Sequence, residues 1–408
     1  LVGATLAGRE ADRRGPMPPF AVGVACFAVG LVVAGLATSM EWVVAGRVIQ
    51  GLGSGAISAI AYVAIALGYD PVARPRMIAI ISSAWVLPGL VGPALAGWIT
   101  QEFTWRWIFL GLAPLLPLAA LATVVPLARL RREPGGEGAE PASPSAVADS
   151  VLLAVGAGVL LAGLSARNLL IAAVALPVAV VLVRRPLARL LPPGTLSARE
   201  GRPAAVAVLA LINVAFFGVE VFVPLAVSSV RGAGTLVGGL ALTAAAVTWA
   251  AGSWIQARVA VHGSRRALVV TGLSLIVAGI GLATSVLVSG VPVWMAGVAW
   301  AVAGLGMGLA FSTATLSAIE GAPAGAEGST SGAVQLANIL GVAVGTGVSG
   351  AVVAVSGPTI GLAPGIAIAN LLMLVACAAG IAVVGRLPDT APAGAATRSM
   401  PAEHGPAL

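Results

Sequence analysis

Runs of about 20 or more apolar residues recur along the whole of this 408-residue sequence, and that is the length at which an α-helix crosses the hydrocarbon core of a bilayer. Inside that core no water is present to bond the peptide groups, so only helices and closed barrels can span it. The runs consist of Ala, Val, Leu and Gly without the period-2 alternation of barrel strands, so the spans are helices and the fold class is all-α. A mean hydropathy of +1.02 agrees. The reading is a polytopic membrane protein with about twelve complete spans, near residues 17–38, 41–68, 77–99, 106–127, 147–165, 168–183, 203–229, 235–257, 267–288, 291–318, 330–355 and 360–385. A stub, Leu1 to Ala7, precedes them.

Composition removes several classes of chemistry. All 22 basic residues counted as Lys or Arg are arginine. Without lysine there is no nucleotide-binding loop of the GxxxxGK type and no Schiff base. His262 and His404 are the two histidines, too few for a zinc-hydrolase or bis-histidine haem site. Neither GxSxG nor HExxH appears, so no enzyme, metal or cofactor is expected. Cys26 and Cys377 lie within apolar runs and behave as small hydrophobes. The pI of about 11.0 does not indicate nucleic acid, because the arginines are dispersed among short loops. The expected partners are the lipid bilayer, a small-molecule substrate and protons, with the chain acting as a monomer.

The arginines instead report orientation. If residues 8–16 face the cytoplasm, the alternating loops place 18 of the 22 on that side, Arg106, Arg167 and Arg231 on the other, and Arg47 within a span, which is the positive-inside pattern. The carboxy terminus is then cytoplasmic. Trp42, Trp98, Trp105, Trp107 and Trp294 fall at the outer ends of their spans as interfacial anchors. Residues 133–146 form a Gly/Pro-rich linker, 186–202 a second linker, and 388–408 a polar tail. The pair at 147–185 is read as a central hairpin, either crossing twice, the favoured reading, or re-entrant.

The string GREADRRG places Gly8, Ala11, Asp12, Arg13 and Gly15 in a charged turn, where an Asp and Arg pair can latch helix ends in one conformation and release them in another. Here the chain resembles the major facilitator superfamily, whose loop between its second and third helices reads GxLADRxGRK. Three further stretches strengthen the resemblance. Arg47, Gln50, Gly51 and Gly53 match the fourth-helix pattern RxxQGxG. Gly92, Pro93 and Gly97 match the fifth-helix signature of antiporters, where small residues permit close helix approach and proline bends the helix. WRWIFL, from Trp105 to Leu110, is similar to the start of the sixth helix in the fourteen-helix drug:proton antiporter branch.

The resemblance implies a two-bundle fold with residues 1–132 as an incomplete first bundle, 203–387 as the second, and the first helix and most of the second expected upstream of Leu1. Weaker echoes follow at 257–267 and 328–347, the latter with Gln335 and Asn338 one turn apart. Gly345, Gly347 and Gly350 satisfy GxGxxG, but no strand precedes them, so no dinucleotide site is expected.

Glu220 is the one acid read as deep within a span, on a face shared with Asn213, Phe217 and Pro224 by helical spacing, and an intramembrane carboxyl is a functional candidate by default. Its depth is similar to that of Arg47, so the two are expected to approach across a central cavity in one state and couple protons to transport. Family position adds Tyr62, Phe216, Phe217, Phe311, Ser312 and Thr315 as cavity candidates beside Asn213. The expected function is proton-coupled efflux of hydrophobic or amphipathic small molecules across a bacterial inner membrane by alternating access. A metabolite importer, or a fragment without activity of its own, is the alternative. The arginine distribution is checked by topology reporters. Fusions after Arg132 or Arg386 should report a cytoplasmic position and an insertion at Arg231 an external one, and an external signal after Arg132 would reverse the orientation.

Overall fold

The computed structural model describes residues 1–84, 86–130, 144–166, 169–260 and 263–389. Arg131, Arg132, Arg167, His262 and nearly all of the linker at 133–146 and the tail at 388–408 lie outside them. A first group of helices comprises α1 (Val2–Arg14), α2 (Met17–Gly35), α3 (Met40–Gly68), α4 (Arg74–Ala84), α5 (Val86–Glu102), the single turn α6 (Trp107–Leu110) and α7 (Leu115–Arg129). The hairpin α8 (Pro144–Ser165) and α9 (Leu169–Leu190) follows. A second group contains α10 (Arg202–Glu220), the short α11 (Val223–Leu225), α12 (Thr235–Val259), α13 (Arg265–Ser285), α14 (Met295–Glu320), α15 (Glu327–Ile360) and α16 (Leu362–Val384).

Among the described residues ten helices are long and apolar enough to cross a membrane. The other two expected spans, 77–99 and 168–183, are carried by α4 with α5 and by α9. The last of these runs past its expected end to Leu190 and holds Arg184, Arg185 and Arg189 in its final turns. The opening stub is also revised. Residues 8–14 form no turn, because α1 continues to Arg14, and the chain reverses at Gly15, whose φ of 84° suits glycine.

The second group is packed around one continuous apolar core that includes Phe216, Leu273, Ile276, Trp300 and Met307, each with essentially no exposure. Tyr62, Ile65 and Ala66 of α3, Ile78 of α4 and Leu153 of α8 belong to the same core, so the first group and the hairpin close onto it. Small residues make this possible. Close van der Waals approach, rather than a hydrophobic drive absent in lipid, holds membrane helices together. Gly252 and Gly308 bring α12 and α14 together, and Gly272 and Gly306 bring α13 and α14 together.

The two groups meet most closely at the end that carries Arg13, Arg14, Arg74, Arg129, Arg202 and Arg386, the arginine-rich end. There α1 lies on α15, with Gly8 against Gly328 and Gly332 against Ala4 and Thr5. A Cβ on either Gly8 or Gly328 would meet the other's carbonyl oxygen. The same end carries an ion pair between Arg265 and Glu320 at 2.6 Å, with 3 % and 2 % of the side chains exposed. Glu320, the last residue of α14, is enclosed without lying deep in a span; it follows the apolar run of α14 directly and reads as a loop residue in sequence. We expect Gly328→Val to force α1 and α15 apart. Spin labels on Arg14 and Ala324 should show a longer separation than in the parent protein, and an unchanged distance would show that the contact is not needed for closure.

Candidate functional site

Asp12 is the polar centre of the contact between α1 and α15. Its carboxylate accepts the backbone N–H of Gly328 at 2.5 Å and of Ser329 at 2.7 Å. These are first-turn donors of α15, which have no partner within their own helix. The residue at the helix's own cap position is Ala326, which provides no side-chain cap. Asp12 thus caps α15 from another helix group, with a negative charge at the positive end of a helix dipole. Burial pushes its carboxyl up from the ordinary carboxylate range, against the pull of the two N–H donors, so the charge is held at a desolvation cost. The expected pairing of Asp12 with Arg13 is not found. Arg13 and Arg14 both pair with Glu10, at 3.5 and 2.9 Å.

A second polar tie joins the groups on the other side of the molecule. The indole N–H of Trp254 on α12 donates to the hydroxyl of Ser83 on α4 at 2.9 Å. The hairpin adds a third, with the hydroxyls of Thr5 on α1 and Ser150 on α8 2.8 Å apart.

Deeper in the second group lies an aromatic cluster. Phe216 stacks on Trp300 with ring centroids 5.1 Å apart and meets Phe217 and Trp249 edge-on at 5.3 and 5.8 Å. Trp249 also meets Phe311 at 5.5 Å. Such contacts add specific geometry to the burial of large apolar surface. Glu220 borders this cluster, its carboxyl interacting with the indole of Trp300 short of full hydrogen-bond geometry. It does not sit within a continuous helix as expected. Proline at 224 cannot donate to the carbonyl four residues earlier, which is that of Glu220. Accordingly α10 ends at Glu220, two turn residues follow, and 226–230 winds as a π-helix. Helix irregularities of this kind concentrate at functional positions.

The other expected residues divide. Phe216, Phe217 and Phe311 come together as cluster members. Asn213 is buried and donates to the Leu209 carbonyl at 2.8 Å and to Asn338 Oδ1 at 3.2 Å, and Asn338 in turn donates to Gln335 at 2.9 Å. Tyr62 is buried in the core shared with the second group. Ser312 and Thr315 are fully buried, and the Ser312 hydroxyl is bonded to that of Ser253 on α12 at 2.9 Å, so Ser312 serves helix packing. Arg47 and Glu220 are not brought together. Arg47 is exposed, donates to Gln50 at 2.9 Å and lies over the Phe109 ring at 4.7 Å, a cation–π contact. Gly92, Pro93 and Gly97 lie in α5, where a Cβ at Gly92 would meet no described atom within 4 Å. The side chains at 93 and 97 lie outside the described residues.

Sequence reasoning missed Trp249, Trp300, Trp254 and Ser83. All sit in apolar runs where nothing local separates a wall or gate residue from a core residue.

The Major Facilitator Superfamily matches residues 1–346, and the chain belongs to that family of membrane transporters. The chain is 28 % identical over 371 residues to the probable multidrug-efflux transporter Rv1634 of Mycobacterium tuberculosis, covering 86 % of this chain and 77 % of that one. It is 31 % identical over 97 residues to the multidrug efflux pump SdrM of Staphylococcus aureus and 35 % identical over 103 residues to the uncharacterized MFS-type transporter YhcA of Bacillus subtilis. Those two matches span only 22 % and 19 % of the relatives' lengths. Among solved structures, the human organic anion transporter MFSD10 shares the fold with a TM-score of 0.65 at 19 % identity, covering 94 % of this chain and 80 % of that one. The proton:xylose symporter XylE does so with 0.60 at 16 %, over 95 % and 83 %.

The latch at Asp12 yields a prediction. Charge-assisted hydrogen bonds contribute about 1.5–3 kcal/mol each, so Asp12→Asn should shift the equilibrium at least about tenfold away from the closed arginine-rich end. Adding a cap within α15 by Ala326→Asp should not reverse the shift. Distance distributions between labelled Arg14 and Ala324 measure it, and recovery in the double variant would mean that Asp12 serves only as a helix cap.

Proposed function

We propose that this protein exports hydrophobic or amphipathic small molecules across a bacterial inner membrane in exchange for protons. The observation that carries the reading is Glu220, a carboxyl at a helix break inside a span and beside an aromatic cluster. Holding a bare charge in an apolar enclosure is costly, so the charge of Glu220 and the polarity around it are linked. Aromatic faces stack on planar substrates of many shapes, and the buried indole N–H of Trp249 offers a donor to a substrate's acceptors. The likeness to Rv1634, a probable multidrug-efflux transporter, and to the multidrug efflux pump SdrM supports efflux as the direction.

Alternating access needs ties that hold one end closed and can break. Asp12 on the α15 terminus and Trp254 on Ser83 are such ties, and in this reading the arginine-rich end is cytoplasmic and its closure belongs to an outward-facing state. Protonation of Glu220 from outside, substrate release, and reopening toward the cytoplasm complete the cycle.

In liposomes with an imposed pH gradient, Glu220→Gln should still bind a fluorescent lipophilic substrate with affinity within a fewfold of the parent, yet lose gradient-driven transport. Full gradient-driven transport by Glu220→Gln would remove Glu220 from proton coupling and leave it as a polar contact between helices.

A further inference from the structure

Gln335 and Asn338 of α15 are partly exposed polar residues one turn apart. One turn before Gln335, Gly332 meets α1, and one turn after Asn338, Gly341 meets Ala210 and Asn213 of α10. The pair therefore stands in the angle between the first group and α10. Asn338 is about 17 Å along α15 from Glu327, close to half the thickness of a hydrocarbon core, and transporter substrate sites lie near that depth.

The three amides are joined in one direction. Asn213 donates to the Leu209 carbonyl of its own helix at 2.8 Å. A carbonyl only accepts, so the NH2 side of Asn213 is turned that way, and its other N–H goes to Asn338 Oδ1 at 3.2 Å. With its oxygen engaged, Asn338 turns its NH2 to Gln335, whose Oε1 accepts at 2.9 Å. Turning over any one of these amides would set oxygen against oxygen or nitrogen against nitrogen. The direction is thus fixed from the Leu209 carbonyl outward, and the chain ends on the NH2 group of Gln335, with one N–H of Asn338 left over. These are donors, and hydrogen bonds joined in a chain polarise one another. Beside them, one turn beyond Asn213 on α10, Phe217 joins the aromatic cluster.

We propose that Gln335 and Asn338 determine substrate specificity, selecting planar apolar molecules that carry a hydrogen-bond acceptor, such as a carbonyl or sulfonyl oxygen, over molecules of the same shape without one. The proposal rests on the efflux reading and adds a chemical class of substrate to it. A molecule lacking the acceptor displaces water from the donors and leaves them without a partner, and that loss discriminates more strongly than the bond gained.

The test compares fluorenone with fluorene, which share a planar tricyclic frame and differ at the carbonyl. Gradient-driven transport of a lipophilic fluorescent dye by the parent protein is measured first in liposomes. Binding of tritiated fluorenone and tritiated fluorene is then measured on protein in nanodiscs, above the counts of protein-free nanodiscs. We expect the parent to bind fluorenone severalfold more tightly than fluorene. Gln335→Met, of similar length and without a donor, and Asn338→Leu should each bring the ratio of affinities close to one by weakening fluorenone, in protein that stays monodisperse on size exclusion. Dye transport with equal affinity for the two compounds, or with neither bound, overturns the selection and leaves the efflux reading standing. A preference kept by both variants overturns its assignment to these residues. Absence of dye transport by the parent overturns the efflux reading and the proposal with it.

Discussion

A peptide group in hydrocarbon has no water to bond, and the rest of this structure follows from that constraint. Away from helix ends and breaks such as that at Pro224, the spans bond their own peptide groups, so helices reach the tertiary stage needing little beyond packing. Lipid tails are as apolar as leucine, and packing is therefore decided by shape and by a few polar ties. The pairs Gly252 with Gly308, Gly272 with Gly306 and Gly8 with Gly328 set how closely backbones approach. Larger side chains fill what remains.

Against this uniform background a few residues stand out. Asp12 caps a helix of another group whose own cap residue is alanine. Pro224 denies Glu220's carbonyl its donor and breaks the span beside an aromatic cluster. Arg265 and Glu320 form a pair so enclosed that removing one partner would leave a bare charge, a loss of about 3–5 kcal/mol. Each departs from the plain apolar helix at a stability cost, and the first two lie at a latch and at the candidate proton site.

Between the helix groups, polar contacts among the described residues are concentrated at a few side chains. Two hydrogen bonds at Asp12 and one at Ser83 join the first group to the second, and one at Ser150 joins the first group to the hairpin. By contrast, within the second group the arginine-rich end is stapled firmly. Arg386 donates to the carbonyls of Ser197 and Ala198, Gly201 donates back to Arg386, and Arg266 donates to the Leu387 carbonyl.

By itself the sequence determined the class. Apolar run length and the absence of period-2 alternation settled helices in a membrane, and the strings around Asp12, Arg47 and Gly92 matched the family, because both are local patterns read along one chain. It also singled out Glu220 and three phenylalanines, since a carboxyl in a span is conspicuous wherever it packs. Only the tertiary structure decided what each residue touches. Asp12 reaches residues more than 300 positions away rather than its neighbour Arg13, Arg47 stacks on Phe109 rather than facing Glu220, and Ser312 turns to Ser253. Nor did any local signal mark Trp249, Trp254 or Ser83. In spans apolar on all sides the hydrophobic pattern no longer reports which face is inward, so contacts between distant helices are fixed by the shape of the packed bundle.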